Sequence, residues 1–438
     1  MLLPPHCRRA TPGLVLLALL LAGCGGGRVA GTPDAAQGAV AAPQAIAATP
    51  LAPATPAPAA GGVRVALLVP LTGTNAAIGR ALLNAAQMAV FDVADATFTL
   101  LPRDTGGTPE GAAAAATAAL KDGAQLILGP LLAPDVAAVK PIARQAGISL
   151  VAFSTDDRLA GDGTYLLSVP PQETVQRVVA YAHAQGVSQF AAFAPASPYG
   201  DLVVAALRQA TGTAGAGLDK VETYDPTAAD LRPAVRDLAD FDARKAALAR
   251  ERQRLAAAGD EASRLALQRL NGRETLGDPP FQAVLLADGG ARLKSVASLL
   301  PYYDIDPGKV RFLGTGIWDE PGLGSEPALV GGWFATTDPA PRGEFDKRFH
   351  ALYKETPPRL ATLGYDATAL AAILAKRAPA PAFTAASITD PSGFAGVDGI
   401  FRFGADGRIE RGLAVLEVEK DGTKVISPAP QTFEPPAS

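Results

Sequence analysis

The 438-residue sequence predicts an α/β fold with two lobes, each built on a parallel sheet, and two observations support this prediction. Nearly unbroken apolar runs such as VRVALLVPL, which begins at Val63, are typical of strands buried on both faces. These runs alternate with segments of helical periodicity, which indicates crossover units in a parallel sheet. Because the alternation occurs twice in a chain too long for one simple core, we expect two lobes with a cleft between them.

The elements of the first lobe follow one another from residue 63 to residue 154. The helix after the first strand places Ile78, Leu82 and Met88 on one apolar stripe. A further helix is predicted to start at Pro109, with Thr108 as its cap. Three more strands complete this lobe, and they read TFTLLPRDT, AQLILGPL and ISLVAFS.

The second lobe repeats the alternation from the helix ETVQRVVAYAHAQG to the strand VRFLGTG. Ligands of such sheets bind beyond the carboxyl ends of the strands. We therefore expect the site in the loops after the strands, which read PLTGTNAAIG, GPLLAPD, FSTDD, PASPYG, ADGG and GTGIWD.

An insertion at 240–280 interrupts the second lobe. It is rich in helix formers, with Gly259 at a turn, so we predict a helical hairpin in which Leu248 and Leu255 lie seven residues apart. Two interpretations stay open. The hairpin is either a solvated charged surface or a basic arm that contacts a partner.

The N-terminal segment is predicted to direct export. The apolar run LVLLALLLA follows Arg8 and Arg9 and is about half of the roughly 20 residues that a membrane span needs. Its ending, Leu21 to Cys24, resembles the lipobox of bacterial lipoproteins, so we predict a signal peptide at 1–23 and a lipid on Cys24. The segment 24–62 is rich in Ala, Pro and Gly, which predicts a disordered tether.

Composition excludes several functions. A formal net charge of −4 gives no basic face for nucleic acid. The only other cysteine, Cys7, lies in the predicted signal, so no disulfide or thiolate is expected. His183 and His350 have no motif partner, and no metal, cofactor or catalytic signature is present. We therefore predict a non-enzymatic binding protein without a metal or cofactor.

Several blocks resemble the type I periplasmic binding proteins, the superfamily of the leucine-binding protein. They are VALLVPLTGTNAAIGRALLNAAQMAV, DGAQLILGPLLAPDVAAVKPIARQAGISLVAFSTDD, SPYGD and GFAGVDGIFRFGADGRI. The resemblance implies two Rossmann-like lobes joined by three crossovers, near Val169, near Trp333 and at 393–403. The predicted division is a first lobe at 63–170 and 333–392, a second lobe at 171–332, and a returning C-terminal segment at 393–438.

Within this superfamily the sequence is most similar to the penicillin-binding-protein activator lipoproteins. The blocks ILGPLLAPDV, VLLADGG, LLPYYDIDPGKVRFLGTGIWDEP and EPALVGGWFATT carry this likeness. The resemblance implies an outer-membrane lipoprotein that faces the periplasm and stimulates a peptidoglycan synthase. Gly25, which follows Cys24, agrees with outer-membrane sorting in that family.

The alternative is an amino-acid receptor of an ABC transporter, anchored to the inner membrane. The resemblance implies a serine soon after the Gly-Pro pair, but Gly129 and Pro130 are followed by no hydroxyl. Asp156 falls where the amino-acid binders have a threonine, and its carboxylate is expected to repel that of a ligand. Tyr199 matches the family tyrosine. We expect the cleft residues to include Thr72, Gly129, Pro130, Ser154, Thr155, Tyr199, Asp288, Thr315, Trp318 and Tyr365.

Two of these cleft residues, and two residues outside the set, also have structural interpretations. Tyr199 is equally compatible with a turn aromatic, and Trp318 and Trp333 with packing at the hinge. Asp366, next to Tyr365, is either a helix N-cap or a ligand group.

Overall fold

A computed structural model describes residues 62–377 and 381–433, which all belong to one compact unit, Ala57–Ser438. The predicted signal peptide, the predicted lipidation site Cys24 and the predicted tether up to residue 61 lie outside the described residues. Within the part that is described, no helix is both long enough and apolar enough to span a membrane.

The described chain alternates strands and helices. The strands are β1 (Val63–Val69), β2 (Phe98–Asp104), β3 (Leu126–Leu128), β4 (Ser149–Ala152), β5 (Thr164–Leu166), β6 (Gln189–Pro195), β7 (Gly217–Tyr224), β8 (Ala283–Leu286), β9 (Arg311–Gly314), β10 (Trp333–Thr336), β11 (Phe394–Gly396), β12 (Gly399–Phe403), β13 (Ile409–Arg411), β14 (Ala414–Glu419) and β15 (Gly422–Ser427). The α-helices are α1 (Ala76–Val93), α2 (Pro109–Lys121), α3 (Ala133–Gln145), α4 (Pro171–Ala184), α5 (Pro198–Ala214), α6 (Arg232–Leu238), α7 (Phe241–Ala258), α8 (Glu261–Arg269), α9 (Gly290–Leu299), α10 (Pro339–Tyr353), α11 (Ala361–Arg377) and α12 (Ala385–Ile388).

Two large sheets define two lobes. The first has the order β2-β1-β3-β4-β5, and all of its pairings are parallel. The second has the order β15-β14-β10-β9-β8-β6-β7; it is parallel from β7 to β10 and antiparallel at β14 and β15. A small antiparallel sheet, β11-β12-β13, packs with the first lobe. The predicted two-lobed α/β fold is confirmed.

Strand β1 of the first lobe is buried on both faces. Val65 and Leu67 pack in one apolar cluster with α11, and Ala66 and Leu68 pack in another with α2 and α3. All four side chains are fully buried. Helices cover both faces of this parallel sheet, so side chains on both faces of the strand are buried, which explains the unbroken apolar run at Val63.

The second crossover lies later than the sequence suggests. We placed the end of the second lobe at residue 332, but β10 pairs with β9 and β14 inside the second sheet. The chain leaves that lobe only after Thr336. The apolar segment at Trp333 is thus a buried strand of the second lobe, and α10 then packs on α1 of the first lobe.

Candidate functional site

A cavity of about 360 Å³ lies between the two lobes, in the size range of small-molecule sites. The first lobe contributes residues that follow β4, residues just before α11, and a residue in the first turn of α11. From the second lobe it is lined by the loop after β9 and by the start of α5. Ser168 and Thr336, next to the first two crossovers, and Asp398 of the small sheet also line it. The third crossover was predicted at 393–403, but it follows β13, because β11 to β13 pack with the first lobe and β14 starts the return to the second sheet. The cavity therefore sits where a change in lobe orientation would alter its shape.

Much of the cavity wall is apolar. The lining includes Phe153, Val169, Ile317, Leu360 and Leu363. Ile317 and Leu360 are 41% and 39% exposed, although both are large apolar side chains. Exposed apolar surface on a concave wall is typical of a site that binds an apolar group.

Arg359 supplies the positive charge of the cavity. Its Nε donates to Asp319 Oδ2 at 3.0 Å, and its Nη1 donates to Asp398 Oδ1 at 2.9 Å. A third bond joins Nη2 to Thr337 Oγ1 at 2.8 Å. Burial alone would lower the pKa of Arg359, but the two carboxylates raise this pKa above its ordinary value. The guanidinium is therefore charged throughout the physiological range, and it links the first lobe to Asp319 of the second.

A buried carboxylate network lies directly behind Arg359. Asp398 is fully buried, and Thr362 Oγ1 donates to it at 2.7 Å. Although burial opposes ionisation, Arg359 and Arg411 lower the pKa of Asp398 below its ordinary value. Asp366 accepts the backbone N–H groups of residues 397 and 398, so it acts neither as a helix cap nor as a lining group. Burial and the charge of Asp398 raise the pKa of Asp366 to about 7.

This shift predicts a pH-dependent stability. Because the pKa of Asp366 is higher in the folded than in the unfolded protein, the folded state binds the extra proton between about pH 4 and pH 7. The free energy of unfolding should fall as pH rises through this window, by up to about 1.4 kcal/mol per pH unit. Urea unfolding of the wild type and Asp366→Asn from pH 5 to pH 8 measures it. A variant with the same slope as the wild type would contradict the assignment.

Two predicted residues line the cavity, and a third supports one of them. Thr155 and Tyr199 are part of its wall. The Tyr199 hydroxyl and Thr315 Oγ1 are hydrogen-bonded at 2.7 Å, and Thr315 is fully buried. Burial raises the pKa of Tyr199, so its hydroxyl stays protonated and is able to donate.

Four predicted residues of the first lobe do not line this cavity. Thr72 Oγ1 donates to Asp104 at 2.7 Å. Gly129 and Pro130 are joined by a cis peptide bond beside β1, where a side chain at 129 would overlap the carbonyl oxygen of Leu68. Ser154 is buried, and its Oγ accepts the backbone N–H of residue 156 at 3.1 Å. These groups order the loops after the strands.

The remaining predicted residues also lie outside the lining. Trp318 is fully buried among core side chains of the second lobe, as in the packing alternative, and its Nε1 donates to the carbonyl oxygen of Asp288 at 3.1 Å. The Asp288 carboxylate accepts the hydroxyl of Tyr224. Tyr365 donates to Asp92 at 2.8 Å on the surface of the first lobe.

Asp156 does not face the ligand site, contrary to our expectation. Arg158 binds its carboxylate through two bonds, at 2.8 and 2.7 Å, and these bonds hold the pKa of Asp156 below its usual range. The residue is absent from the cavity wall. The predicted repulsion of a ligand carboxylate therefore does not apply.

Sequence reasoning missed Arg359, Asp319 and Asp398. Arg359 lies in a stretch without a motif, whereas Asp319 and Asp398 stand in the GTGIWD loop and in the block GFAGVDGIFRFGADGRI, which we singled out for other reasons. They are 40 and 39 residues away from Arg359 along the chain, so only the fold brings them together. Across residues 62–377 and 381–433, no three His, Cys, Asp or Glu side chains are grouped as a metal ion would need.

The fold and the interlobe cavity define a two-lobed binding protein of the type I periplasmic class. A family model described as periplasmic binding protein matches residues 62–423, and the chain belongs to this family. The family name places its members in the periplasm and describes binding rather than catalysis. No curated protein sequence matches the chain significantly.

Solved structures share the fold at low sequence identity. A protein from Rhodospirillum rubrum, assigned to a branched-chain amino acid ABC transporter, has a TM-score of 0.66 at 19% identity, covering 83% of this chain and 100% of that one. A branched-chain amino acid transporter substrate-binding protein from Streptococcus pneumoniae, in complex with isoleucine, has a TM-score of 0.54 at 18% identity. The match covers 84% of this chain and 100% of that one. An ABC transporter solute-binding protein from R. palustris, in complex with benzoate, has a TM-score of 0.55 at 16% identity. The match covers 86% of this chain and 99% of that one.

Proposed function

We propose that this protein is the solute-binding receptor of an ABC transporter and that its ligand is a small zwitterion with an apolar body, such as a branched-chain amino acid. The observation that carries the proposal is the cavity itself. Its wall combines exposed apolar side chains with one guanidinium, Arg359, and one partly exposed carboxylate, Asp319. Such a wall offers a partner for each part of an apolar amino acid.

The charges of the cavity favour a zwitterion. Arg359 and Asp319 are 30% and 32% exposed and form an ion pair 3.0 Å long across the cleft. A ligand that inserts between them would direct its carboxylate to the guanidinium and its ammonium to Asp319. A simple carboxylate would satisfy Arg359 but leave Asp319 without a cation, which costs free energy in a partly desolvated site.

The related structures support this ligand chemistry. Isoleucine and benzoate, bound in two of them, are both small carboxylates with an apolar body. The apolar wall formed by Phe153, Ile317 and Leu360 suits such a body.

Calorimetry with three ligands that share the same sec-butyl group tests the proposal. Isoleucine has both charged groups, 3-methylpentanoate lacks the ammonium, and 2-methylbutylamine lacks the carboxylate. We expect isoleucine to bind at least about tenfold more tightly than either analogue, because each lost charge leaves one partner unpaired. Equal binding of 3-methylpentanoate would exclude the role of Asp319. Absence of binding by all three, and by a wider amino-acid panel, would contradict the receptor function.

The apolar wall gives a second prediction. Leu360→Asp is expected to weaken isoleucine binding by about tenfold or more, since it removes apolar contact and adds a carboxylate to the site. Leu352→Asp is the matched control, because Leu352 is 62% exposed on α10 and is not part of the cavity wall. Equal affinities of the two variants in calorimetry would contradict the proposed position of the ligand.

The other predicted function, activation of a peptidoglycan synthase through a penicillin-binding protein, gains no support from the comparisons, whereas the receptor alternative agrees with them. The lipid on Cys24, which would attach the protein to the outer or the inner membrane, remains a prediction. Binding of a penicillin-binding protein together with no ligand in the calorimetric panel would favour the activator.

A further inference from the structure

We propose that the exposed face of the α7–α8 hairpin docks an acidic helical segment of a partner protein. The hairpin is defined as residues 241–273. The hairpin is separate from the interlobe cavity, because no residue of the hairpin lines that cavity. The proposal is therefore independent of the ligand.

The hairpin is held rigidly on the second lobe. Arg244 is buried, and its guanidinium donates to Thr275 Oγ1, to Asp304 Oδ2 and to the carbonyl oxygens of residues 239, 277 and 303, at 2.9 to 3.2 Å. Leu248 and Leu255 are buried on the same side of α7. Arg252 closes the hairpin by donating to the carbonyl oxygens of residues 270 and 273. A rigid mounting lowers the entropy cost of binding a partner.

The outward side of the hairpin is basic. Residues 241–273 contain eight basic and four acidic side chains, a net charge of +4 in a protein whose formal net charge is −4. Exposed basic side chains occur on both helices and after them, at residues 245, 250, 254, 264, 269 and 273. Three of the four acids are already engaged, because Asp242 binds Arg236, Asp260 caps α8, and Glu251 pairs with Arg254, which neutralises that one basic residue. The free charge on this surface is therefore mainly positive, which favours an acidic partner.

The shape of this surface suits a helix. Between its basic residues, α7 exposes alanines at positions 243, 246, 249, 256 and 257. Alanine loses no side-chain entropy on burial, and its small size allows the backbone of a partner helix to approach closely. A lipid surface fits less well, because interfacial helices present Trp, Phe or Leu. Phe241 is buried, and Leu265 is the one large apolar side chain of the hairpin that is markedly exposed.

Charge reversal tests the proposal on the intact protein. The probe is a fluorescent helical peptide of alanine and glutamate, measured by anisotropy at low and at physiological salt. The triple variant Arg250→Glu, Arg264→Glu, Arg269→Glu should lose about tenfold or more of the peptide affinity. The matched control is Arg80→Glu, Lys121→Glu, Arg208→Glu, which makes the same change of charge at exposed positions elsewhere and should retain most of the affinity.

The remaining outcomes overturn the proposal. Equal losses in the two triple variants would mean that the peptide senses only net charge. No binding to the wild type would leave the hairpin a solvated charged surface. Binding of phosphatidylglycerol vesicles in place of the peptide, with loss in the hairpin variant, would assign the surface to a membrane. Circular dichroism of each variant confirms that the fold is intact.

Discussion

Replacing Arg359 with methionine is expected to destabilise the protein by about 3 kcal/mol and to weaken isoleucine binding about a hundredfold. The guanidinium bonds to the fully buried Asp398, to Asp319 and to Thr337. Methionine fills a similar volume but removes the guanidinium that is hydrogen-bonded to the buried Asp398 carboxylate. Urea unfolding and calorimetry measure the two effects.

Arg348→Met is the matched control for this experiment. Arg348 also pairs with an aspartate, Asp92, at 2.6 Å, but its side chain is 52% exposed. Solvent screens such pairs, so the free energy of unfolding should change by less than about 1 kcal/mol, and ligand affinity should not change. Equal losses of stability and of affinity in the two variants would contradict the role of Arg359 in pairing with Asp398 and in binding the ligand.

The second large effect concerns Gly364, where α11 crosses α1. A Cβ at this position would overlap the carbonyl oxygen of Leu82 and would lie 3.1 Å from its Cα. Because these are backbone atoms, no side chain is able to rotate away, and the helices must separate. Gly364→Ala is expected to cost about 3 kcal/mol of stability. Arg359 precedes α11, so ligand affinity should fall as well.

Gly343→Ala controls for helix propensity. Gly343 lies inside α10, and a Cβ there would have no atom within 4 Å. This variant should be stabilised by about 0.5–1 kcal/mol, since alanine is the better helix former. Thermal and urea unfolding compare the two variants. A Gly364→Ala protein as stable as the wild type would show that the two helices do not approach so closely.

The sequence predicts those features of the fold that depend on local pattern. The run at Val63 becomes a doubly buried strand, and Thr108 caps α2 by accepting the N–H of Gly111 at 3.1 Å, as predicted. The hairpin residues Leu248 and Leu255 are buried as their spacing suggests. Trp333 shows the limit, because its strand joins a sheet whose other partner, β14, lies about 80 residues later.

The site was harder to predict because it is assembled from distant segments. Strand-end loops are a sound guide to its position, and Thr155 and Tyr199 were found in this way. The same rule also selected Thr72, but the Thr72 hydroxyl donates to Asp104 and does not line the cavity. No local pattern shows that Arg359 meets Asp319 and Asp398, since the three residues lie in separate segments that only the tertiary fold brings together.

A crystal structure of the protein with isoleucine tests the central claim most directly. We expect the ligand in the interlobe cavity, with its carboxylate about 3 Å from the Arg359 guanidinium, its ammonium about 3 Å from Asp319, and its side chain against Ile317 and Leu360. An intact Arg359–Asp319 pair with isoleucine bound elsewhere, or no bound ligand at saturating concentration, would contradict the account.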